Sequence, residues 1–456
     1  MSSDSASEGL PIIADAAGSP LPPHLQSWLQ RLPSEIDTII DTVAHAGGGI
    51  WIVGGAVRDA FLHLDLELKD IDFAVSFTPQ RMLELFPDAI DTGIEYGTLT
   101  LRGTSGGFYE ATTLRTESEY RDGRRPEHVE FGTSLLGDLE RRDFTFNAMA
   151  IDVRRGLLHD PYHGVRDLQQ GRVRAVGQAY QRLAEDGLRI LRAYRFLDRG
   201  KAGIWQFDAE LAEALKQHRG MLSHVTNERI WMEWKKILAG ENAADVIERM
   251  ARDEVLDRFL PGQWRAQIHH FHAQNHHLTE DISALERFAL LLCEHDSIAV
   301  TNSLKQLKLS KKERNRVETI HSRFGQVPND TLAGLRLYRM IMGDRAEAHL
   351  KLEIVIRESG LQPEQLQATT PADIHNLIEK LNAVEPLAAG NDSLVDGHWI
   401  MQRTGMAKGR AVGRLKQWLH RLQIERDLKD EGQIEDVLCT LNWSNGDFEH
   451  WPKLEF

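Results

Sequence analysis

Two glycines and two nearby aspartates are the first residues whose types and spacing could do chemistry. The apolar run Ile50–Val53 leads into Gly54 and Gly55 and then into a helical pattern, with Arg58 one turn into that helix. Glycines let the backbone approach a phosphate, and a helix start offers free N–H groups and the positive end of its dipole. The segment carries neither GK[ST] nor GxGxxG. It therefore predicts either an anion cradle that uses Gly55 and Arg58 or a plain structural turn.

A strand pattern follows within about 20 residues. In the segment Lys69–Val75, Asp70 and Asp72 are two residues apart and flank Ile71, so the two aspartates lie on one face of the strand. Two adjacent carboxylates repel unless a cation lies between them, and Mg²⁺ prefers oxygen ligands supplemented by substrate phosphates. A two-metal site for phosphoryl or nucleotidyl transfer has this composition. Glu110, on a neighbouring strand, is a candidate third carboxylate. The alternative interpretation of Asp70 and Asp72 is a solvated strand face without a metal.

A second group of charged residues is suited to a nucleotide. Arg141, Arg142 and Asp143 are consecutive, and Asn147 follows four residues later. The two guanidinium groups can neutralise a triphosphate, because Arg presents a planar fork of donors that matches phosphate oxygens. Asp143 or Asn147 can hydrogen-bond a ribose hydroxyl. The alternative is a charged loop with local salt bridges.

The segment from Glu185 to Arg199 predicts a helix that carries a base-reading surface. Asp186, Arg189 and Arg192 recur every three residues and would fan over one side, with Arg195 further round. An Asp acceptor beside an Arg donor matches the amino group and ring nitrogen of cytosine or adenine, whereas uracil and guanine place a carbonyl where the amino group would be. A good bidentate contact is worth about 1–3 kcal/mol of discrimination. An i,i+3 salt bridge on a solvated helix is the alternative.

These motifs, in this order, resemble those of a known family. GGAVRD followed by KDIDFAV looks like the head of the bacterial-type (class II) tRNA nucleotidyltransferase and poly(A) polymerase family, in the polymerase β superfamily. Four later segments between residues 139 and 230 are similar to motifs of the same family: RRDFTFNA, the HDP hinge segment, the helix EDGLRILRAYRF and the segment NERI. Together the matches cover roughly residues 50–240.

The resemblance implies an enzyme and assigns roles. Asp70 and Asp72 would be the catalytic Mg²⁺ ligands, Arg142 would contact the nucleotide phosphates, and Asp186 with Arg189 would act as an amino-acid template. The resemblance also implies that Arg192 and Arg195 contact the bound nucleotide. The implied activity adds C, C and A to the 3′ end of tRNA from CTP and ATP, without a nucleic-acid template and with release of pyrophosphate.

Other functions stay open at the level of sequence. They are a poly(A) polymerase, a CC-only or A-only enzyme, a catalytically silent RNA-binding protein and a hydrolase. The stretch Asp91–Thr98 stands where the poly(A) branch carries a GRRF-like strand, which favours the tRNA branch. The polar segment Thr116–His128 resembles the loop that the family uses for the switch to A addition, although a plain surface loop would look the same.

The predicted fold class is α+β, a small mixed-sheet nucleotidyltransferase head followed by an all-α neck, body and tail. Strand-like runs stop after about residue 178, where amphipathic helices take over. The domain limits that follow are a flexible N-terminal tail at 1–24, a catalytic head at 25–153, a neck with the nucleotide-selecting helix at 154–240, a helical body at 241–390 and a helical, tRNA-binding tail at 391–456.

Charge and composition narrow the class of protein. The 456 residues carry a formal charge of −14, yet residues 102–205 hold 18 Lys+Arg against 15 Asp+Glu, and 17 of the 18 are Arg. This Arg-rich window coincides with the segments assigned to phosphates and base edges. No apolar run reaches the about 18 residues that a membrane span needs. Two distant cysteines, with no secretory signal, indicate a reducing, cytoplasmic setting.

Two further segments carry weaker signals. The histidines between residues 269 and 277, with His295-Asp296, are compatible with a metal site, but an ordinary helical region is the favoured interpretation. Gly405–Gly413 loosely resembles a family stretch that is richer in proline, with Lys408 and Arg410 in the places of prolines. The resemblance implies that this region grips tRNA by its shape and phosphates.

Overall fold

The computed structural model describes residues 14–62, 71–118, 128–132, 134–260, 282–361, 363, 365–444 and 447–456. The chain divides into two units, Met1–Leu260 and Pro261–Phe456, and each is described by itself. The first unit contains a mixed sheet and helices. The described part of the second is helical, as the predicted fold class requires.

An eight-stranded sheet forms the framework of the first unit. Its spatial order is β1-β10-β9-β2-β3-β6-β5-β4, with β3 and β6 parallel and the other neighbours antiparallel. The strands are β1 Gly18–Pro20, β2 Ile50–Val53, β3 Asp72–Val75, β4 Ile90–Gly93, β5 Thr98–Arg102, β6 Phe108–Thr113, β9 Ala150–Asp152 and β10 Leu157–His159. A separate hairpin pairs β7 Arg115–Ser118 with β8 His128–Phe131.

The central strands are those with the clearest apolar runs. All four residues of β2 are buried, and in β3 only Asp72 is exposed while Phe73, Ala74 and Val75 are buried. A strand that is covered on both faces reads as a continuous apolar run, because each face packs against other elements. The predicted strands over Ile50–Val53 and Ile71–Val75 therefore lie at the centre of the sheet, where they position the turn at Gly54 and the carboxylate of Asp72.

The sheet extends beyond the predicted limits of the head at both ends. Gly18–Pro20, within the segment predicted as a flexible tail, pairs with Leu157–His159, which lies after the predicted end of the head at residue 153. Ala16 and Leu21 on either side are buried. The tail prediction is therefore wrong for residues 14–24, because Ser- and Pro-rich composition also suits a short edge strand. The N-terminal residues before 14 lie outside the described part.

Short helices surround and follow the sheet. In the first unit they are α1 Pro23–Leu29, α2 Ser34–His45, α3 Gly55–Phe61, α4 Pro79–Leu85, α5 Leu135–Glu140, α6 Gly164–Gln169, α7 Ala179–Glu185, α8 Leu188–Arg195, α9 Ala209–His218, α10 Asn227–Leu238 and α11 Ala243–Arg252. A two-residue strand, β12 Gln206–Phe207, pairs with β11 Arg172–Val173. The expectation that strands end near residue 178 is thus wrong for β12, which is too short to show a period.

The described part of residues 282–456 is helical, in agreement with the predicted fold class. Its helices are α12 Ala284–Leu291, α13 Ser297–Gln306, α14 Lys311–His321, α15 Leu332–Met342, α16 Ala346–Ser359, α17 Pro371–Asn382, α18 Gly397–Thr404, α19 Arg410–Arg426 and α20 Glu431–Thr440. A buried apolar cluster joins α18, α19 and α20 through Ile400, Leu415 and Ile434. None of the helices in the described part of the chain is long and apolar enough to cross a membrane.

Candidate active site

A cavity of about 510 Å³ opens in the first unit beside the end of the central strands. Its walls come from the turn after β2, strand β3, the loop after α5, the start and length of α8, and the first turn of α10. The lining residues are Gly54, Gly55, Arg58, Asp72, Arg142, Asp143, Asn147, Asp186, Leu188, Arg189, Arg192, Arg195, Phe196 and Arg229.

Ten of the eleven predicted site residues line this one cavity. They are Gly55, Arg58, Asp72, Arg142, Asp143, Asn147, Asp186, Arg189, Arg192 and Arg195. The eleventh, Asp70, lies outside the described residues. Four separate sequence motifs thus meet in space, whereas their functional roles stay predictions.

The glycine turn after β2 places the backbone of Gly54 next to the carboxylate of Asp72. Val53 is the register partner of Asp72, so the chain leaves β2 for α3 next to the exposed Asp72 carboxylate. Gly54 has φ 73° and ψ −132°, a conformation that glycine alone adopts readily. A Cβ on Gly54 would lie 3.1 Å from Arg142 Nη1 and 3.9 Å from Asp72 Oδ2. The missing side chain therefore keeps the space between an arginine and an aspartate open.

The candidate third carboxylate lies directly beside Asp72. Glu110 on β6 is the register partner of Asp72 in the parallel pairing of β3 with β6, and both residues are exposed. Within the described ranges, no cluster of three His, Cys, Asp or Glu side chains has the geometry of a metal site. Because Asp70 lies outside those ranges, the predicted pair of aspartates stays a prediction.

Asn147 connects two charged residues across the cavity wall. Arg58 donates from Nε and Nη2 to the two carboxylate oxygens of Asp59, and from Nη1 to Asn147 Oδ1 at 2.8 Å. Asn147 Nδ2 in turn donates to Asp143 Oδ1 at 3.0 Å. Arg192 completes the chain, since its Nε donates to Asp143 Oδ2 at 2.6 Å. The network fixes side chains from α3, from the segment after α5 and from α8 against one another.

The charge of Asp143 is stabilised inside the protein. Burial on its own would raise the pKa of Asp143, but the charge of Arg192 and the hydrogen bonds from Asn147 and Arg192 outweigh burial, so the pKa is lowered. Asp138 behaves likewise: burial acts to raise its pKa, and Arg142 and Arg141 lower it below its ordinary value. Both carboxylates are therefore fixed anions that orient arginines.

Asp186 is not on the helix on which the sequence analysis placed it. Helix α7 ends at Glu185, Asp186 is extended with φ −147° and ψ 107°, and α8 begins at Leu188. Gly187, between the two helices, packs against Met221, where a Cβ would lie 2.4 Å from the carbonyl oxygen. The predicted fan of three residues over one helix face is thus wrong for Asp186. Arg189 and Arg192 do lie three residues apart on α8.

The two residues assigned to base reading have separate partners. Asp186 Oδ1 accepts from the Leu188 N–H at 3.0 Å, and Asp186 Oδ2 accepts from Arg229 Nη2 at 2.6 Å. Arg189 instead donates to Glu185 and to the carbonyl oxygens of Arg182 and Arg141. The bond to the Arg141 carbonyl ties the base-reading arginine to the segment that carries Arg142.

Glu233 and Phe196 organise the remaining arginines. Glu233 is buried and lies 2.8 Å from Arg195 Nη1 and 3.8 Å from Arg192 Nη1. The ring of Phe196 lies under the guanidinium groups of Arg195, Arg192 and Arg58, at 4.4, 5.6 and 5.1 Å from its centroid. Cations over an aromatic face are attracted by the ring quadrupole. One phenyl ring thus holds three arginines in a single cluster.

Sequence reasoning did not assign a role to Arg229, Glu233 or Phe196. Arg229 and Phe196 belong to quoted motifs, and Glu233 lies four residues after Arg229 on α10, which places both on one face of that helix. The lining carries six arginines against three aspartates, so an anionic ligand is favoured.

Two family models match the chain. One, described as a poly A polymerase head domain, matches residues 50–174, and one described as a probable RNA and SrmB-binding site of polymerase A matches residues 206–267. A CCA-adding enzyme of Oceanobacillus iheyensis is 32% identical over 88% of this chain and 96% of its own length. The chain belongs to the CCA-adding enzyme family.

Other members of the family support the same assignment over different lengths. A CCA-adding enzyme of Lactococcus lactis is 31% identical over 88% of this chain and 96% of its own length. A Listeria monocytogenes CCA-adding enzyme is 40% identical, but the alignment spans 52% of this chain and only 56% of that protein. That match thus spans about half the length of each chain.

Solved structures of the family share the fold. A Bacillus stearothermophilus CCA-adding enzyme in complex with CTP superposes with a TM-score of 0.71 at 26% identity, covering 92% of this chain and 99% of the other. A Thermotoga maritima CCA-adding enzyme complexed with tRNA superposes with a TM-score of 0.59 at 20% identity, over 93% of this chain and all of the other. At that identity the second comparison shows the fold alone.

The weaker sequence signals fall mostly on residues outside the described part of the chain. The histidines at 269–277 and residues 119–127 of the polar loop lie outside the described residues. Asp296 is the N-cap of α13, where its Oδ1 accepts from the N–H groups of Ile298 and Ala299. Asp296 therefore has a structural role at a helix start.

Proposed function

We propose that this chain adds C, C and A to the 3′ end of tRNA from CTP and ATP, without a nucleic-acid template and with release of pyrophosphate. The observation that carries the proposal is the single cavity in which the Gly54–Gly55 turn, Asp72, the arginines and Asp186 meet. Membership of the CCA-adding enzyme family supports the same activity. The family model over 206–267 supports an RNA partner.

The phosphate end of the nucleotide belongs beside the glycine turn. Gly55 begins α3, whose free N–H groups favour an anion, and Arg142 and Arg58 are the nearest cationic side chains of the lining. In the reaction the 3′-hydroxyl oxygen of the tRNA attacks the α-phosphorus, the bond to the β-phosphate oxygen breaks, and pyrophosphate leaves. Arg142, held by Asp138, would stabilise the charge that moves onto the leaving group.

Asp72 is the described residue best placed to hold Mg²⁺, with Asp70 as the proposed second ligand. Polymerase β-type nucleotidyltransferases generally use divalent metal ions. An exposed carboxylate at the cavity, with Glu110 beside it, offers the hard oxygen donors that Mg²⁺ prefers. A bound Mg²⁺ would neutralise phosphate charge and favour ionisation of the attacking hydroxyl.

Base selection is assigned to Asp186 and Arg189. Asp186 offers an acceptor from the break before α8, and Arg189 offers a donor from the first turn of that helix. Cytosine and adenine both present an amino group beside a ring nitrogen, so one protein surface serves both. Arg192, Arg195 and Asn147 complete the proposed nucleotide contacts.

A poly(A) polymerase is the second candidate, because the matching head model carries that description. The deciding experiment uses tRNA transcripts that end in the discriminator base, in C or in CC. Each is incubated with CTP, ATP or both, and the products are resolved at single-nucleotide length. Addition of exactly C, C and A is expected. Growth beyond three residues with ATP alone would establish the polymerase instead, and stalling at CC with both nucleotides would establish a CC-adding enzyme.

The same assay tests the metal ligand. Asp72→Ala is expected to abolish every extension, because the carboxylate nearest the glycine turn is gone. Glu84→Ala removes an exposed carboxylate that pairs with Arg81 on α4, away from the cavity lining, and is expected to leave extension unchanged. Full activity of Asp72→Ala would refute the assignment.

A further inference from the structure

Arg229 and Asp186 form an ion pair in the cavity wall. Arg229 Nη2 donates to Asp186 Oδ2 at 2.6 Å, and both residues line the cavity. Arg229 lies in the first turn of α10, where a cation meets the positive end of the helix dipole. The helix itself therefore does not favour an arginine at this position. Its contact with Asp186 is the interaction that offsets this cost.

Asp186 needs outside support because it is not part of a helix. Its backbone is extended, and the following Gly187 packs too closely against the carbonyl of Met221 to accept a side chain. The carboxylate receives one hydrogen bond on each oxygen, from the Leu188 N–H on Oδ1 and from Arg229 on Oδ2. Two bonds on two different oxygens fix both the position and the plane of the group.

We propose that Arg229 is a positioning residue for nucleotide choice, which rests on the proposed function of the cavity. Each carboxylate oxygen has two lone-pair sites, so one on each oxygen remains for the amino group of a base. With Arg229 in place, Asp186 is held as an acceptor in a fixed direction and rejects uracil, whose carbonyl would face it. Without Arg229 the carboxylate rotates away from the carbonyl, and UTP is admitted.

The test measures kcat/KM for CTP and for UTP on a tRNA transcript that ends in the discriminator base. Arg229→Ala is expected to lower the preference for CTP over UTP about tenfold, within the range that a bidentate base contact supplies. Arg229→Lys retains the charge without the fork and is expected to restore part of the preference. If Arg229→Ala does not fold, the test relies on Arg229→Lys. Thermal unfolding of each variant shows whether it is folded.

Arg219→Ala is the matched control. Arg219 pairs with Glu254 at 2.9 Å, and its side chain is 31% exposed, the same as that of Arg229, but it does not line the cavity. Its nucleotide preference is expected to equal that of the wild type. A loss of preference in this variant equal to that in Arg229→Ala would show that removal of another ion pair of the first unit has the same effect, and would overturn the inference.

A second background separates positioning from general damage. In Asp186→Ala protein, Arg229→Ala is expected to change the preference by about twofold or less, because the group that it positions is absent. An unchanged preference in Arg229→Ala, or a higher kcat/KM for CTP with unchanged selectivity, would overturn the inference while CTP addition by the wild type upholds the proposed function. Failure of the wild type to extend any transcript would instead refute that function.

Discussion

Arg192 contacts a single carboxylate oxygen of Asp143 from two of its nitrogens. Nε donates to Asp143 Oδ2 at 2.6 Å, and Nη2 lies 2.5 Å from the same oxygen. The other oxygen of Asp143 accepts from the Phe144 N–H and from Asn147. The pair joins α8, which carries Arg189, to the segment after α5, which carries the residues assigned to the ribose.

Asp143→Asn is expected to lower both stability and tRNA extension. Loss of one partner of a buried pair costs about 3 kcal/mol, and the cost is smaller here because Arg192 is 30% exposed and keeps Glu233 nearby. Calorimetric melting measures the change. Asp41→Asn, which breaks the exposed pair with Arg154, is the control and is expected to shift the free energy of unfolding by less than about 1 kcal/mol. Equal melting temperatures for the two variants would contradict the prediction.

The same carboxylate predicts sensitivity to acid. The folded pKa of Asp143 is lowered below that of the unfolded chain, about 3.9, so its stabilisation is fully present above that value. It is lost as the pH falls through the folded pKa, because the folded protein then takes up the proton. The melting temperature of the wild type should therefore fall more steeply below about pH 4 than that of Asp143→Asn. Parallel curves would count against a charged Asp143.

The central part of the fold could be predicted because its strands and helices follow local patterns of apolar residues in the sequence. Buried β2 and β3 appear as apolar runs, and helices such as Leu332–Met342 and Arg410–Arg426 appear through the spacing of their apolar residues. Strands β1 and β10 could not, because a strand of only three residues is defined by the hydrogen bonds of its partners and not by its own sequence.

The sequence predicted which residues line the candidate site, but not which residues they contact. Motif spacing brought Arg142, Asp143 and Asn147 to the cavity, since neighbours in sequence stay neighbours in space. The extended backbone of Asp186 interrupts the predicted helix, and Gly187 beside it packs against Met221, which is 34 positions away in the chain. The residue on α10 that pairs with Asp186 likewise depends on tertiary packing. The helical spacing of the sequence carries no information about that contact.

Phe196 is expected to matter to the affinity for the nucleotide through the arginines above its ring. Phe196→Leu keeps an apolar side chain but removes the face that attracts Arg58, Arg192 and Arg195, so kcat/KM for CTP should fall about tenfold. Phe207→Leu is the control, because Phe207 lies under Arg249 alone and outside the cavity lining. The same loss of activity in both variants would show a packing effect.

The second unit carries a pH-sensitive histidine of its own. Burial lowers the pKa of His349 to about 4, and the charges of Arg357 and Arg323 act in the same direction. The unfolded chain protonates this histidine below about pH 6.5, whereas the folded unit does not, so His349 on its own lowers stability as the pH falls from 6.5 towards 4. The buried Glu353, 3.6 Å away, has a pKa raised to about 7 and acts in the opposite direction over the same range. His349→Gln should therefore reduce the fall of the melting temperature between about pH 6.5 and pH 4. An unchanged slope would place the histidine outside this linkage.

Gly54→Ala separates the chemistry at the glycine turn from the strain of its backbone. The substitution forces a non-glycine residue into positive φ, at about 1–3 kcal/mol, and places a Cβ 3.1 Å from Arg142 Nη1. Gly203→Ala is the matched control, because Gly203 has nearly the same conformation, φ 84° and ψ −149°, with nothing within 4 Å of its Cβ. Calorimetry should show a similar decrease of the melting temperature in both variants. Only Gly54→Ala should lose tRNA extension. Retained extension in Gly54→Ala would show that the space between Arg142 and Asp72 is not needed for the nucleotide.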